Sequence, residues 1–178
     1  LVLYELGQSY QAKEQYDLAV GAYKQLNSSS DGELYTKARL AIADIFSREL
    51  DPTSALETYQ DIIKTSPEFR RDAFVKMAEV YRKNQDYLKA IEAYQNALSA
   101  PKGFGEIKNV EMQFATGDLY ETSNKTDQAV EEYLKVAYLY PKETAWIVKA
   151  YLRAARIFEG GEKWDEAKTV YQKIIQYK

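Results

Sequence analysis

Five alanines, Ala19, Ala55, Ala90, Ala129 and Ala167, occupy matched points of a pattern that recurs along the whole chain. Four residues after each stands a tyrosine: Tyr23, Tyr59, Tyr94, Tyr133 and Tyr171. Nine residues before each stands an aromatic: Tyr10, Phe46, Tyr81, Tyr120 and Phe158. Twelve before is always small (Gly7, Ala43, Ala78, Gly117, Ala155), and seven after is always apolar (Leu26, Ile62, Ala97, Val136, Ile174). The anchors lie 36, 35, 39 and 38 residues apart, from 19 to 55, 55 to 90, 90 to 129 and 129 to 167. A period of that length marks an array of two-element units, each burying its apolar face against the next.

Between and within the anchors, apolar residues recur at three- and four-residue spacing, which predicts amphipathic helices. Breakers divide each copy into two helices: Asp51-Pro52-Thr53, Asn84-Gln85-Asp86, Asn124-Lys125-Thr126 and Gly160-Gly161. Pro52 suits a first helical position after an Asp cap, and Gly160-Gly161 suits a helix C-terminus. The alanines are expected where the two helices of a hairpin approach most closely, each facing the small residue twelve before it.

Composition narrows the function. An apolar and aromatic share of 46% supports a core. A net charge of −3 and an isoelectric point near 5.2 argue against a phosphate-binding surface. The chain has no cysteine and no histidine. Disulfides, thiol nucleophiles and the commonest general base and metal ligand are therefore absent. No apolar run approaches the roughly 20 residues needed to span a membrane. Both ends break off in mid-pattern, so the chain is expected to be a segment of a longer array.

The pattern resembles the tetratricopeptide repeat, W-x2-L-G-x2-Y…A-x3-F…P. Leu6-Gly7-x-x-Tyr10 and Ala55-x-x-x-Tyr59…Pro67 carry the resemblance most closely, with Pro141 and, shifted by one, Pro101 as further terminal prolines. Leu3, Phe74 and Tyr151 fill the leading large position, where copies two and four have Arg39 and Gln113. The resemblance implies an all-α, right-handed superhelical solenoid of about five helix-turn-helix hairpins, or about ten antiparallel helices. The repeats would run about 1–31, 32–67, 68–102, 103–141 and 142–178, as one domain. Extra residues are expected in the linkers 27–32 and 101–105 and around Tyr138-Leu-Tyr-Pro141. Longer repeats joined by a Tyr-Pro or Ser-Pro step resemble those of bacterial cell-envelope proteins, such as the periplasmic partner of the Tol–Pal system and the outer-membrane assembly lipoproteins.

The same resemblance implies a non-catalytic scaffold that binds a protein or peptide in a concave groove lined by first helices. Carried over position by position, the sites fifteen before each anchor give an apolar stripe of Tyr4, Leu40, Val75, Phe114 and Leu152. Eleven before gives Gln8, Asp44, Glu79, Asp118 and Arg156. Eight before gives Gln11, Ser47, Arg82, Glu121 and Glu159, and eighteen before gives Leu1, Lys37, Asp72, Glu111 and Lys149. The groove would take a partner helix or extended peptide with apolar anchors of its own. Alternatively, the stripe packs inward against the neighbouring hairpin. The Lys, Asn and Arg set with which some relatives clamp a chaperone's terminal carboxylate is missing, since copy one offers Tyr4 and Gln8. No cofactor, nucleic acid or membrane insertion is implied. A homo-oligomer stays open, as do a self-assembling structural module and a regulatory domain attached to an enzyme. The compartment also stays open, with the cell envelope favoured.

Other signals weigh less. Ten aromatics sit at the repeat's own packing positions, leaving Phe104, Tyr138, Tyr140, Trp146 and Tyr177 as interface candidates. Glu131-Glu132 and Asp165-Glu166 read as solvated faces. Gly160-Gly161 lacks the G-K-[ST] of a phosphate loop. Asn27-Ser28-Ser29 and Asn124-Lys125-Thr126 fit the glycosylation sequon.

Overall fold

The computed structural model describes residues 1–27, 31–105 and 107–177. Residues 28–30 of the first linker, with Ser28 and Ser29 of its sequon, lie outside the described residues, as do Glu106 and Lys178. Among the described residues the chain is all-α, with no strand. The helices are α1 (Val2–Ala12), α2 (Tyr16–Lys24), α3 (Gly32–Ile45), α4 (Pro52–Thr65), α5 (Arg70–Lys83), α6 (Tyr87–Ser99), α7 (Asn109–Thr122), α8 (Thr126–Leu139), α9 (Thr144–Gly160) and α10 (Trp164–Ile175). The odd-numbered members are the first helices of the five copies. Two compact units form, one from Leu1–Val80 with Ala100–Phe104, the other from Tyr81–Ser99 with Gly105–Lys178.

The repeat positions are the core positions. Four of the five anchoring alanines have no exposed surface, and Ala167 has 3%. Tyr23, Tyr59, Tyr94 and Tyr133 are buried to 3% exposure or less. The small residue twelve before the anchor makes room for the tyrosine ring rather than for the alanine. A Cβ at Gly117 would stand 2.7 Å from Cε1 of Tyr133, and one at Gly7 only 2.4 Å from Cε1 of Tyr23. In the first unit Ala19, Tyr23, Leu26, Ala38 and Ile45 pack together. In the second, Val110, Phe114, Tyr133, Val136, Ile147 and Tyr151 belong to one larger cluster.

Each hairpin turn closes the same way. The N–H four residues before the anchor donates to the carbonyl nine before it: Gln15 to Tyr10, Asp86 to Tyr81, Lys125 to Tyr120 and Lys163 to Phe158, all at 2.8–2.9 Å. The intervening residue takes a positive φ: Glu14 at 59°, Gln85 at 62°, Asn124 at 58° and Glu162 at 59°. This is the left-handed C-terminal motif that satisfies the last helical carbonyls. As expected, Gly160 ends α9 and Gly161 caps it, but neither has positive φ and Glu162 takes the left-handed place. Copy two makes the equivalent bond, Asp51 N–H to Phe46 O at 2.9 Å, across a π-helical turn over Phe46–Leu50. There Asp51 caps α4 by accepting from the Thr53 N–H at 2.9 Å, with Pro52 at the first turn.

Candidate functional site

The first helices carry the residues expected to line a groove, and the structure sorts them into exposed and core. In the first unit Tyr4 and Leu40 are half-buried and Gln8 and Glu79 exposed, while Val75 is 6% exposed. In the second unit Arg82, Leu152 and Arg156 are exposed, while Phe114 is 4% exposed. In place of a continuous exposed stripe, Val75 and Phe114 are core residues. Phe114 shows the cause: its ring lies 5.1 Å from that of Tyr133 on α8 and 5.4 Å from that of Trp146 on α9.

The polar rows beside the stripe are tied to the core tyrosines. Tyr59 Oη donates to Asp44 Oδ1 at 2.5 Å, and Tyr133 Oη lies 2.5 Å from Asp118 Oδ1 and 2.8 Å from Glu121 Oε2. Tyr23 Oη donates to Gln11 at 3.0 Å and Tyr171 Oη to Glu159 at 3.1 Å. Each of these tyrosines reaches from the second helix and places its one polar atom on an acceptor of the first. A buried hydroxyl without such a partner would cost roughly 1–3 kcal/mol. Burial pushes the Tyr23 phenol up to about 12. Burial, and next the Asp44 carboxylate, hold Tyr59 well above the ordinary phenol range. Tyr133 is raised likewise, by burial and then by its bond to Asp118.

Cations from the following hairpin complete the arrangement. Lys76 Nζ on α5 lies 3.0 Å from Asp44 on α3. Arg153 on α9 lies 3.2 Å from Asp118 and 3.0 Å from Glu121 on α7. Both cations stand fourteen residues before their own anchor, where copies two and four have Ala41 and Ala115. The sequence reading missed them, although the alternation of alanine with a cation at that position was there to be seen. Farther along α9, Lys149 Nζ sits 4.5 Å from the ring centre of Phe114 and 4.6 Å from that of Trp146, a cation held over two π faces.

Each unit thus carries its own patch of fixed polar groups, Asp44 with Lys76 in the first and Asp118 and Glu121 with Arg153 in the second. The Asp44, Asp118 and Glu121 side chains keep 20%, 42% and 31% of their surface open to solvent. Among the described residues no group of three or more acids could hold a metal ion. No described helix is long and apolar enough to cross a membrane.

Two tetratricopeptide-repeat family models match the chain, one over residues 75–144 and the other over residues 1–29 and 149–177. No curated protein sequence matches. Among solved structures, a crystal structure of MamA aligns with a TM-score of 0.69 at 19% identity, over 99% of this chain and 90% of that one. The repeats of a putative kinesin light chain from Podosopora anserina align with a TM-score of 0.67 at 16% identity, over 99% and 93%. PilF of Pseudomonas aeruginosa aligns with a TM-score of 0.64 at 17% identity, over 99% and 75%. At these identities the likeness is one of fold, and helical-hairpin repeats of this kind generally serve as scaffolds for protein–protein contact. Because the two models between them take in both ends and the middle of a chain whose hairpins pack on the pattern read from its sequence, the chain belongs to the tetratricopeptide-repeat family.

Proposed function

We propose that this chain is a non-catalytic scaffold that holds an extended or helical segment of a partner protein against its first helices. The observation that carries the reading is the pair of tyrosine-braced polar patches. Asp44, Asp118 and Glu121 are fixed from below by phenol hydroxyls and from the side by Lys76 and Arg153, yet remain open above. Groups immobilised before a partner arrives lose little side-chain entropy on binding, each such saving amounting to about 0.5–1.5 kcal/mol. On first helices of their own units, half-buried Tyr4 and Leu40 and exposed Leu152 supply apolar surface. Gln8, Glu79, Arg82 and Arg156 add exposed polar groups of both signs. Within this reading, the resemblance to bacterial cell-envelope repeat proteins suggests envelope assembly as the setting.

The test uses only exposed positions. The triple variant Glu79→Arg, Leu152→Asp, Arg156→Glu should keep its circular dichroism, since surface substitutions shift stability by about ±0.5 kcal/mol. Affinity capture from source-cell lysate should recover a partner with the wild type and lose it with the variant. Equal capture by two folded baits would move the binding site off this face.

A further inference from the structure

In the first unit the chain binds a piece of itself. The segment after α6 returns to α3 and α5 and places Phe104 on Phe69, ring centres 4.7 Å apart. Phe69 is itself 1% exposed, so it gives a rigid apolar floor, whereas Phe104 above it remains 54% exposed. Lys37 Nζ lies over the Phe104 ring at 5.2 Å, its ammonium steadied by Glu33 four residues back. The Phe104 backbone N–H donates to Asp72 Oδ2 at 2.8 Å. The residue before it is glycine, and a Cβ there would stand 2.6 Å from Asp72 Oδ2, so a side chain at this place would push the carboxylate off the Phe104 N–H. Lys37 and Asp72 both occupy the position eighteen before an anchor, a row assigned to the groove by the resemblance.

We propose that Phe69, Lys37 and Asp72 form a recognition cradle for a glycine–aromatic step in an extended partner peptide, and that Gly103-Phe104 is its built-in occupant. The inference rests on reading the first-helix face as protein-binding. Each element has a chemical job. The Phe69 ring takes the aromatic side chain, and Lys37 attracts the π face of a second ring laid on it. Asp72 accepts a main-chain N–H, which reads backbone direction, and its closeness to Cα disfavours a preceding residue with a side chain, which would displace the carboxylate from that N–H. An uncharged Gly-Phe or Gly-Tyr step satisfies all three. Phe104 makes a weak incumbent, because more than half its surface stays in water, and a partner whose flanking residues also contact the first unit's polar patch would displace it. The tether supplies the incumbent at an effective concentration of about millimolar.

The experiment uses the full chain and a synthetic peptide, acetyl-Pro-Lys-Gly-Phe-Gly-amide, read by backbone amide NMR shifts at Lys37, Phe69 and Asp72. Phe104→Ala vacates the cradle and should bind the peptide at least tenfold more tightly than the wild type. Gly103→Ala, which ejects the segment while leaving Phe104 intact, provides the same test should the first variant misfold. The peptide with alanine in place of its glycine should lose binding, as should Asp72→Ala combined with Phe104→Ala. Equal binding by wild type and folded variant, or no binding by either variant, overturns the cradle. If that happens while partner capture still depends on Leu152 and Arg156, this inference alone fails. Peptide binding to the vacated cradle, with partner capture indifferent to Glu79, Leu152 and Arg156, overturns the polar-patch reading instead.

Discussion

The tyrosine four residues after each anchor does two jobs that pull against each other. Its ring fills the gap between two helices, and its hydroxyl still needs an acceptor. Tyr59 and Tyr133 meet both demands by ending on a carboxylate at 2.5 Å. A phenol so placed resists ionisation, and its raised pKa fixes the sign of the pH effect. The folded state holds the proton more tightly than the unfolded chain, whose phenols titrate near 10. The stabilisation is therefore complete below about pH 10. For Tyr23 it is lost as pH climbs through about 12. Tyr59 and Tyr133 follow at higher pH. Phenolate absorbance should show the Tyr23, Tyr59 and Tyr133 phenols ionising only with the loss of helical circular dichroism. A single smooth titration of the folded protein would contradict it. The glycine beneath the ring gives a second check. Gly117→Ala drives a methyl into Tyr133 and should cost roughly 1–3 kcal/mol by overpacking. Gly21→Ala, in a helix with open space around it, should instead stabilise by about 0.5–1 kcal/mol. The existence of this packing was legible, since alanine, tyrosine and glycine recur in register. Its geometry was not: spacing alone did not reveal that the glycine faces the ring, nor that the supposed groove acceptors are the ring's hydrogen-bond partners.

Helix boundaries were legible from breakers, but the turns follow a rule that composition hides. Four of the five hairpins put a non-glycine residue in the left-handed region: Glu14, Gln85, Asn124 and Glu162. In those four copies the following N–H bonds back to the carbonyl five residues earlier, a bond that copy two also makes. The Gly160-Gly161 pair marks the end of α9, but the left-handed place falls one residue later, on Glu162. Copy two has Leu50 at the corresponding place and closes the bond with a π turn. Gln85→Gly and Glu162→Gly should therefore each stabilise, since a side chain in the left-handed region costs roughly 1–2 kcal/mol and glycine's extra chain entropy returns part of that. Thermal melts that move down instead would show that these side chains make compensating contacts.

In the whole molecule, stability is expected to be a sum of hairpins and of contacts between neighbours, as in other repeat arrays. Asp44 with Lys76 and Asp118 with Arg153 each tie one hairpin to the next. These ion pairs are partly solvated, so each contributes within about 0–1 kcal/mol and the apolar packing carries most of the coupling. At this scale the sequence left open whether the first-helix stripe packs inward or faces out. The rows fifteen before the anchors look alike in hydrophobicity, yet Leu152 is exposed while Phe114 is buried. Periodicity shows which side of a helix is apolar but not how much of it the neighbouring hairpin covers. Ile147 tests the additive picture, being fully buried in the cluster of the second unit. Ile147→Ala should cost roughly 2–5 kcal/mol, the usual range for truncating a core aliphatic side chain. Because contacts in such an array are local, the loss should accelerate amide hydrogen exchange in α7–α10 far more than in α1–α4. Uniform acceleration from α1 to α10 would mean that the repeats unfold as one cooperative block, and the array would then owe its stability to coupling rather than to its separate hairpins.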